Sequence, residues 1–147
     1  MAPTAVSVDI SRSPEDIYAY VTDLSRLSEW QGPVLSSRRT DDGPVKVGSS
    51  ATVIRKVGPR QVNTTVEITE LNPPKSWRYR AVSGPVVGTA DYKVEPLDGG
   101  QRSRVTVALG FEGRGIGKLL APIFRRQGGR ELLRNKEQLK AVLEKDG

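Results

Sequence analysis

The chain has 147 residues, 36% hydrophobic and 27% charged, with a net charge of +6 and neither cysteine nor histidine. That excludes a disulfide framework, thiolate chemistry, Ser-His-Asp or Cys-His catalysis and the common zinc sites. The length predicts one domain over residues 1–147, able to bury roughly 70% of its unfolded surface. No apolar run approaches the ~20 residues of a membrane span. The opening "MAPTAVSVDI" lacks the basic and apolar regions of a signal peptide. Together with the missing cysteines, this predicts a cytoplasmic protein.

"VSVDI" at 6–10 alternates as a short strand does. In "SPEDIYAYV", Ser13 is a good N-cap, Pro14 suits the first helical position, and Asp16 stands where a capping-box acid would. Ile17, Tyr20, Val21 and Leu24 share one face of the helix that follows. "DLSRLSEW" predicts a second short helix, ending before Gly32-Pro33.

The middle of the chain reads as strands divided by turn chemistry, at "DDGP" 41–44, "NPP" 72–74, "DGG" 98–100 and the Gly-Pro pairs 58–59 and 84–85. "VNTTVEITEL" puts Val62, Thr64, Val66 and Ile68 on one face. "WRYRA" sets Trp77, Tyr79 and Ala81 opposite Arg78 and Arg80, and "RVTVALGF" aligns Val105, Val107, Leu109 and Phe111. Turns this close together imply an antiparallel meander.

From about Ile116 to Glu144 the pattern is helical. Strands and helices are segregated, which is an α+β architecture, and the last helix is the only element long enough to cover the sheet. Its apolar stripe before Gly128-Gly129 is rotated by roughly 140° from the stripe after it, at ~100° per residue. With Pro122 nearby, this predicts a short first helical piece and a separate second one. Gly128 would then face inward, with Gly129 easing the bend.

The layout resembles the polyketide cyclase/dehydrase branch of the START-related (SRPBCC) superfamily, which has the helix-grip fold of the birch pollen allergen. The residues that carry the resemblance are "SPEDIYAYVTDLSRLSEW", "VGSSATVIRKVG", "EITELNPPKSWRYR", "YKVEPLDGGQRSRVTV" and the closing "LKAVLE". It implies a bent seven-stranded antiparallel sheet wrapped around a long C-terminal helix, with two short helices after the first strand. It also implies a cavity between sheet and helix for an apolar or aromatic small molecule. The family's functions are varied, so the likeness narrows function only to ligand handling.

Candidate site residues follow from the same patterns. Thr64, Val66, Trp77, Tyr79, Tyr92 and Phe111 fall on the sheet face that would look inward. They form an apolar wall with few polar groups, as small-molecule sites have. The plain alternative is a solid core. A buried phenol needs a hydrogen-bond partner, which a ligand could supply to Tyr79 or Tyr92. Trp30 occupies the family's position after the second short helix, where it would stack on a ligand or plug the gap between helix and sheet. Arg55 shares a face with Ala51, Val53 and Val57. If that face is the inner one, Arg55 needs a carboxylate or an anionic ligand group; otherwise it is a solvated strand arginine. On the helix, Asn135 aligns with Gly128, Leu132, Leu139 and Val142, a polar residue in an apolar stripe. Phe124 and Gly128 complete the set. "GFEGRGIGK" fails as a phosphate loop, because Glu112 and Leu119 stand where the motif needs Gly and Ser/Thr. No metal cluster or cofactor motif is present.

The leading function is therefore binding of a hydrophobic or aromatic small molecule, lipid- or polyketide-like. An enzyme of the cyclase or aromatase kind is the alternative, acting mainly by positioning, with Tyr79, Tyr92, Arg55 or a cavity carboxylate moving protons. The third class is a basic-surface module. Residues 114–145 hold nine Lys or Arg and three Glu, and Arg126, Arg130 and Arg134 form an i, i+4, i+8 stripe. The stripe lacks aromatics for base stacking, so nucleic acid is not expected, while weak contact with an anionic membrane and homodimer formation stay open.

Overall fold

The computed structural model describes residues 4–31, 34–57, 59–83, 86–113, 115 and 117–145. Strand β1 (Thr4–Ile10) leads into α1 (Pro14–Val21), a 3-10 turn at Leu24–Arg26, and α2 (Leu27–Trp30). Six strands follow: β2 (Val34–Arg39), β3 (Ser50–Val57), β4 (Arg60–Asn72), β5 (Ser76–Ser83), β6 (Val86–Leu97) and β7 (Arg102–Gly113). Helix α3 (Gly117–Lys145) closes the chain. The seven strands form one antiparallel sheet in the order β1-β7-β6-β5-β4-β3-β2. This is the α+β helix-grip arrangement that the resemblance implies.

Local chemistry accounts for the element ends. The Ser13 hydroxyl accepts from the Asp16 amide at 3.2 Å, capping α1. Asp16's own carboxylate pairs with Arg12 instead, 3.7 Å away, so only half of a capping box forms. The β6–β7 turn holds Asp98, Gly99 and Gly100 at positive φ, a run that two glycines make affordable. Asp41 accepts from the Ser49 hydroxyl at 2.9 Å and from Arg39 at 3.3 Å, which ties the β2–β3 connection to the strand before it. Bulges interrupt β2 between Val34 and Ser36, and β4 between Ile68 and Glu70.

Helix α3 is continuous across Pro122 and Gly128-Gly129, contrary to the two-piece expectation. Pro122 stands in the second turn, where its missing N–H removes one hydrogen bond without ending the helix. The cost of the glycines, about 1 kcal/mol each, is offset by the docking of α3 on the sheet.

Among the described residues, the hydrogen bonds of that docking come from the second half of the helix. Lys136 and Lys140 donate to the Ser7 and Asp9 carbonyls of edge strand β1, at 3.3 and 2.8 Å. Arg12 donates to the Leu143 carbonyl at 2.7 Å. The lysines thus occupy acceptors that an edge strand would otherwise leave open. The rising residue numbers on both sides show that α3 runs parallel to β1. Its first half therefore lies at the opposite end of the sheet, where β3 turns into β4 and β5 into β6.

Candidate functional site

The inner face of the sheet carries the residues that alternation selects. Thr64, Val66 and Ile68 on β4, Trp77 and Tyr79 on β5, Tyr92 and Val94 on β6, and Val105 and Val107 on β7 are all buried. Burial declines along the inner rows of β4, β5 and β7 toward the first half of α3, whereas on β6 the half-buried Ala90 is followed by the buried Gly88. Val62, Ala81, Ala90 and Leu109 continue the same inward rows, yet each is only half-buried. Ala81 pairs with Gly88, and Ala90 lies between Tyr79 and Leu109, so the wall there is built from small residues.

Four aromatic rings close the deeper part. Trp77 stacks on Tyr92, with centroids 5.1 Å apart and planes 7° from parallel. Trp30 and Tyr79 meet Tyr92 edge-on, at 6.4 and 5.3 Å. Trp30 is brought there by α2, the last residue of which it forms. Tyr18 of α1 adds a further edge contact to Trp77 at 5.3 Å.

The polar atoms of this cluster divide into two sets. The Tyr79 hydroxyl donates to the Val21 carbonyl at the end of α1, so it joins α1 to the sheet. The indole N–H of Trp30 is buried without a hydrogen-bond partner, and that of Trp77 faces the Tyr79 hydroxyl without meeting hydrogen-bond geometry. Burial pushes the Tyr79 phenol well above its ordinary pKa. It pushes Tyr92 up as well, and the Arg55 charge pulls Tyr92 partly back.

Arg55 lies on the inner face with Ala51 and Val53. Its guanidinium meets Glu131 of α3 at 3.2 Å and the Gln31 side-chain oxygen at 3.1 Å. One side chain thus links β3, the end of α2 and the middle of α3. Sequence patterns single out Arg55 but not its partners. Glu131 is 76 residues away, and only the antiparallel wrap of the sheet brings the two together.

Of the residues singled out by the sequence, Trp30, Thr64, Val66, Trp77, Tyr79, Tyr92 and Asn135 are buried and Arg55 is half-buried. The side chains of Phe111 on β7 and Phe124 on α3, and the surroundings of Gly128, lie outside the described residues. Among the described residues no group of acids could hold a metal ion, and no helix is long and apolar enough to cross a membrane.

A family model described as "Polyketide cyclase / dehydrase and lipid transport" matches residues 1–144. The chain belongs to this family. Solved structures agree on the fold. A START superfamily protein from Mycobacterium smegmatis superposes with a TM-score of 0.82 at 12% identity, covering 100% of both chains. The Zhui aromatase/cyclase from Streptomyces sp. R1128 has a TM-score of 0.72 at 16% identity, covering 96% of this chain and 90% of its own. A Deinococcus radiodurans protein has a TM-score of 0.67 at 21% identity, with 98% of each chain covered. No curated protein matches the chain.

Proposed function

We propose that this family member binds a hydrophobic or aromatic small molecule between the sheet and the first half of α3. The observation that carries the reading is the decline of burial along the inner rows of β4, β5 and β7, with Ala90 of β6 half-buried beside them. Val62, Ala81, Ala90 and Leu109 are apolar, point inward and stay only half-covered, beside a fully packed aromatic end. A solid core would cover them, whereas an apolar ligand would complete them. The unpartnered indole N–H of Trp30, in the adjoining aromatic end, offers a donor to such a ligand. Unmade hydrogen bonds in a buried site are costly, and a ligand's acceptor atoms would satisfy them. The two tryptophans are the chain's only ones, so intrinsic fluorescence reports the site directly. Titration with quercetin and with oleic acid tests the proposal. Saturable quenching and a raised melting temperature support it; a flat response to both compounds contradicts it. A cysteine-free chain suits the reducing cytoplasm, and that location belongs to the same proposal, as does a single domain over residues 1–147.

A second reading is an enzyme of the cyclase or aromatase kind. Its support is the buried Tyr92 phenol, which lies within the field of Arg55. Burial keeps that phenol protonated at neutral pH, so it could donate a proton or hydrogen bond but not act as a base. Tyr79 is a weaker candidate because its hydroxyl is already committed to Val21. Tyr92→Phe separates the readings, lowering turnover of a poly-ketone substrate in an enzyme while leaving simple ligand binding nearly unchanged.

A further inference from the structure

The chain's charge surplus lies almost wholly in residues 114–145, which carry nine basic and three acidic side chains. Among the described residues, several of them are engaged within the fold. Lys136 and Lys140 are spent on the β1 carbonyls, and Glu131 on Arg55. Arg126, Arg130 and Arg134 are different. All three are exposed, and none has an ion-pair partner among the described residues. Their spacing of four puts them in one row, about 6 Å apart along the helix axis.

Helical spacing adds four more exposed residues to this row's face: Pro122, Leu133, Glu137 and Ala141. Leu133 is 53% exposed and is one of only three large hydrophobics so exposed among the described residues. Glu137 cancels one charge, which leaves the face at net +2. The result is a cationic face with an apolar residue among its arginines. Such a face suits the plane of an anionic bilayer, where guanidinium groups meet phosphates and Leu133 enters the headgroup boundary. Base stacking would need aromatic residues, and this face has none.

Position supports the same partner. Arg126 and Arg130 sit on the half of α3 that faces away from the β1 clasp. That half lies over the end of the sheet where the inner rows are half-covered. We infer that the outer face of α3, through Arg126, Arg130, Arg134 and Leu133, docks on a membrane surface bearing anionic lipids. The surface contact stands without the ligand-binding reading. If both hold, docking would bring the open end of the interior to the bilayer from which an apolar ligand is taken or to which it is returned.

The test is sedimentation of the full chain with vesicles of phosphatidylcholine alone and with 30% phosphatidylglycerol. Binding to the anionic vesicles at low salt, lost on raising the salt, is expected. Each cation near such a surface contributes about fivefold in partitioning. The triple substitution Arg126→Gln, Arg130→Gln, Arg134→Gln should therefore weaken binding about a hundredfold, and Leu133→Ser should weaken it further. All four positions are exposed, so unchanged thermal unfolding is expected in the variants. Tryptophan quenching by quercetin should also be unchanged, which separates failure of docking from failure of ligand binding. Three results would overturn the proposal: no sedimentation of the wild-type chain with anionic vesicles at low salt, undiminished sedimentation of the triple variant, or duplex DNA binding tighter than vesicle binding in the same buffer.

Discussion

The Arg55 guanidinium on β3 lies 3.2 Å from the Glu131 carboxylate on α3, and both side chains are about four-fifths buried, at 22% and 16% exposure. This pair joins the sheet to the middle of the helix, with Gln31 as a third member. Removing one member leaves the other charged in a half-dry site. Arg55→Met should cost about 2 kcal/mol and Glu131→Leu somewhat less. The double variant should recover part of the loss, with a coupling of about 1 kcal/mol. Urea unfolding of the four proteins measures this. Strictly additive losses would show that the pair does not act as a unit.

Tyr79→Phe should cost about 1 kcal/mol, because the Val21 carbonyl loses the only donor this side chain gives it. Ligand affinity should change little, since the hydroxyl points at α1. Comparing urea midpoints and quercetin titrations of the two proteins checks both parts. A large loss of affinity with unchanged stability would move Tyr79 into the binding site.

Stability should be level between about pH 6 and 9, because the chain has no histidine or cysteine to titrate there. Below that range three depressed carboxyls act. Asp41 is held down by Ser49 and Arg39, Glu144 by Lys140 and the Ser11 amide, and Asp9 by Arg104. A depressed carboxyl contributes stability above its unfolded pKa, and that contribution is lost as pH falls through the folded value. Stability should therefore decline from about pH 4 downward. At the alkaline end Tyr79 and Tyr92 are raised by burial, so their contribution is present below about pH 10 and lost above it. Urea midpoints across pH 3–11 give the curve, and a step between pH 6 and 9 would contradict this account.

Much of the fold is legible in local pattern. The alternation at Thr64, Val66 and Ile68, and at Trp77 and Tyr79, predicts which side chains are buried, because a half-buried strand has a period of two. The Ser13 cap and the Asp98-Gly99-Gly100 turn follow from side-chain and backbone chemistry alone. Two features follow from tertiary docking instead. Pro122 and the paired glycines suggest a broken helix, but packing on β1 and β7 keeps α3 whole. Likewise, periodicity leaves the direction of Arg55 open. The structure decides it through Glu131 and Gln31, residues far away in sequence that no local pattern connects to β3.

The central claim is that the half-covered inner rows leave room for an apolar molecule, and Ala90→Phe tests it most directly. Ala90 faces inward between Tyr79 and Leu109 and is only half-buried. If space lies beside it, the phenyl ring fills that space. Quercetin affinity, read from Trp30 and Trp77 emission, should then fall at least about tenfold, while stability stays within about 1 kcal/mol of the wild type. If the interior is a solid core, the same ring overpacks it. A loss of roughly 2 kcal/mol or more, with binding absent in the wild type or unaltered in the variant, would contradict the account.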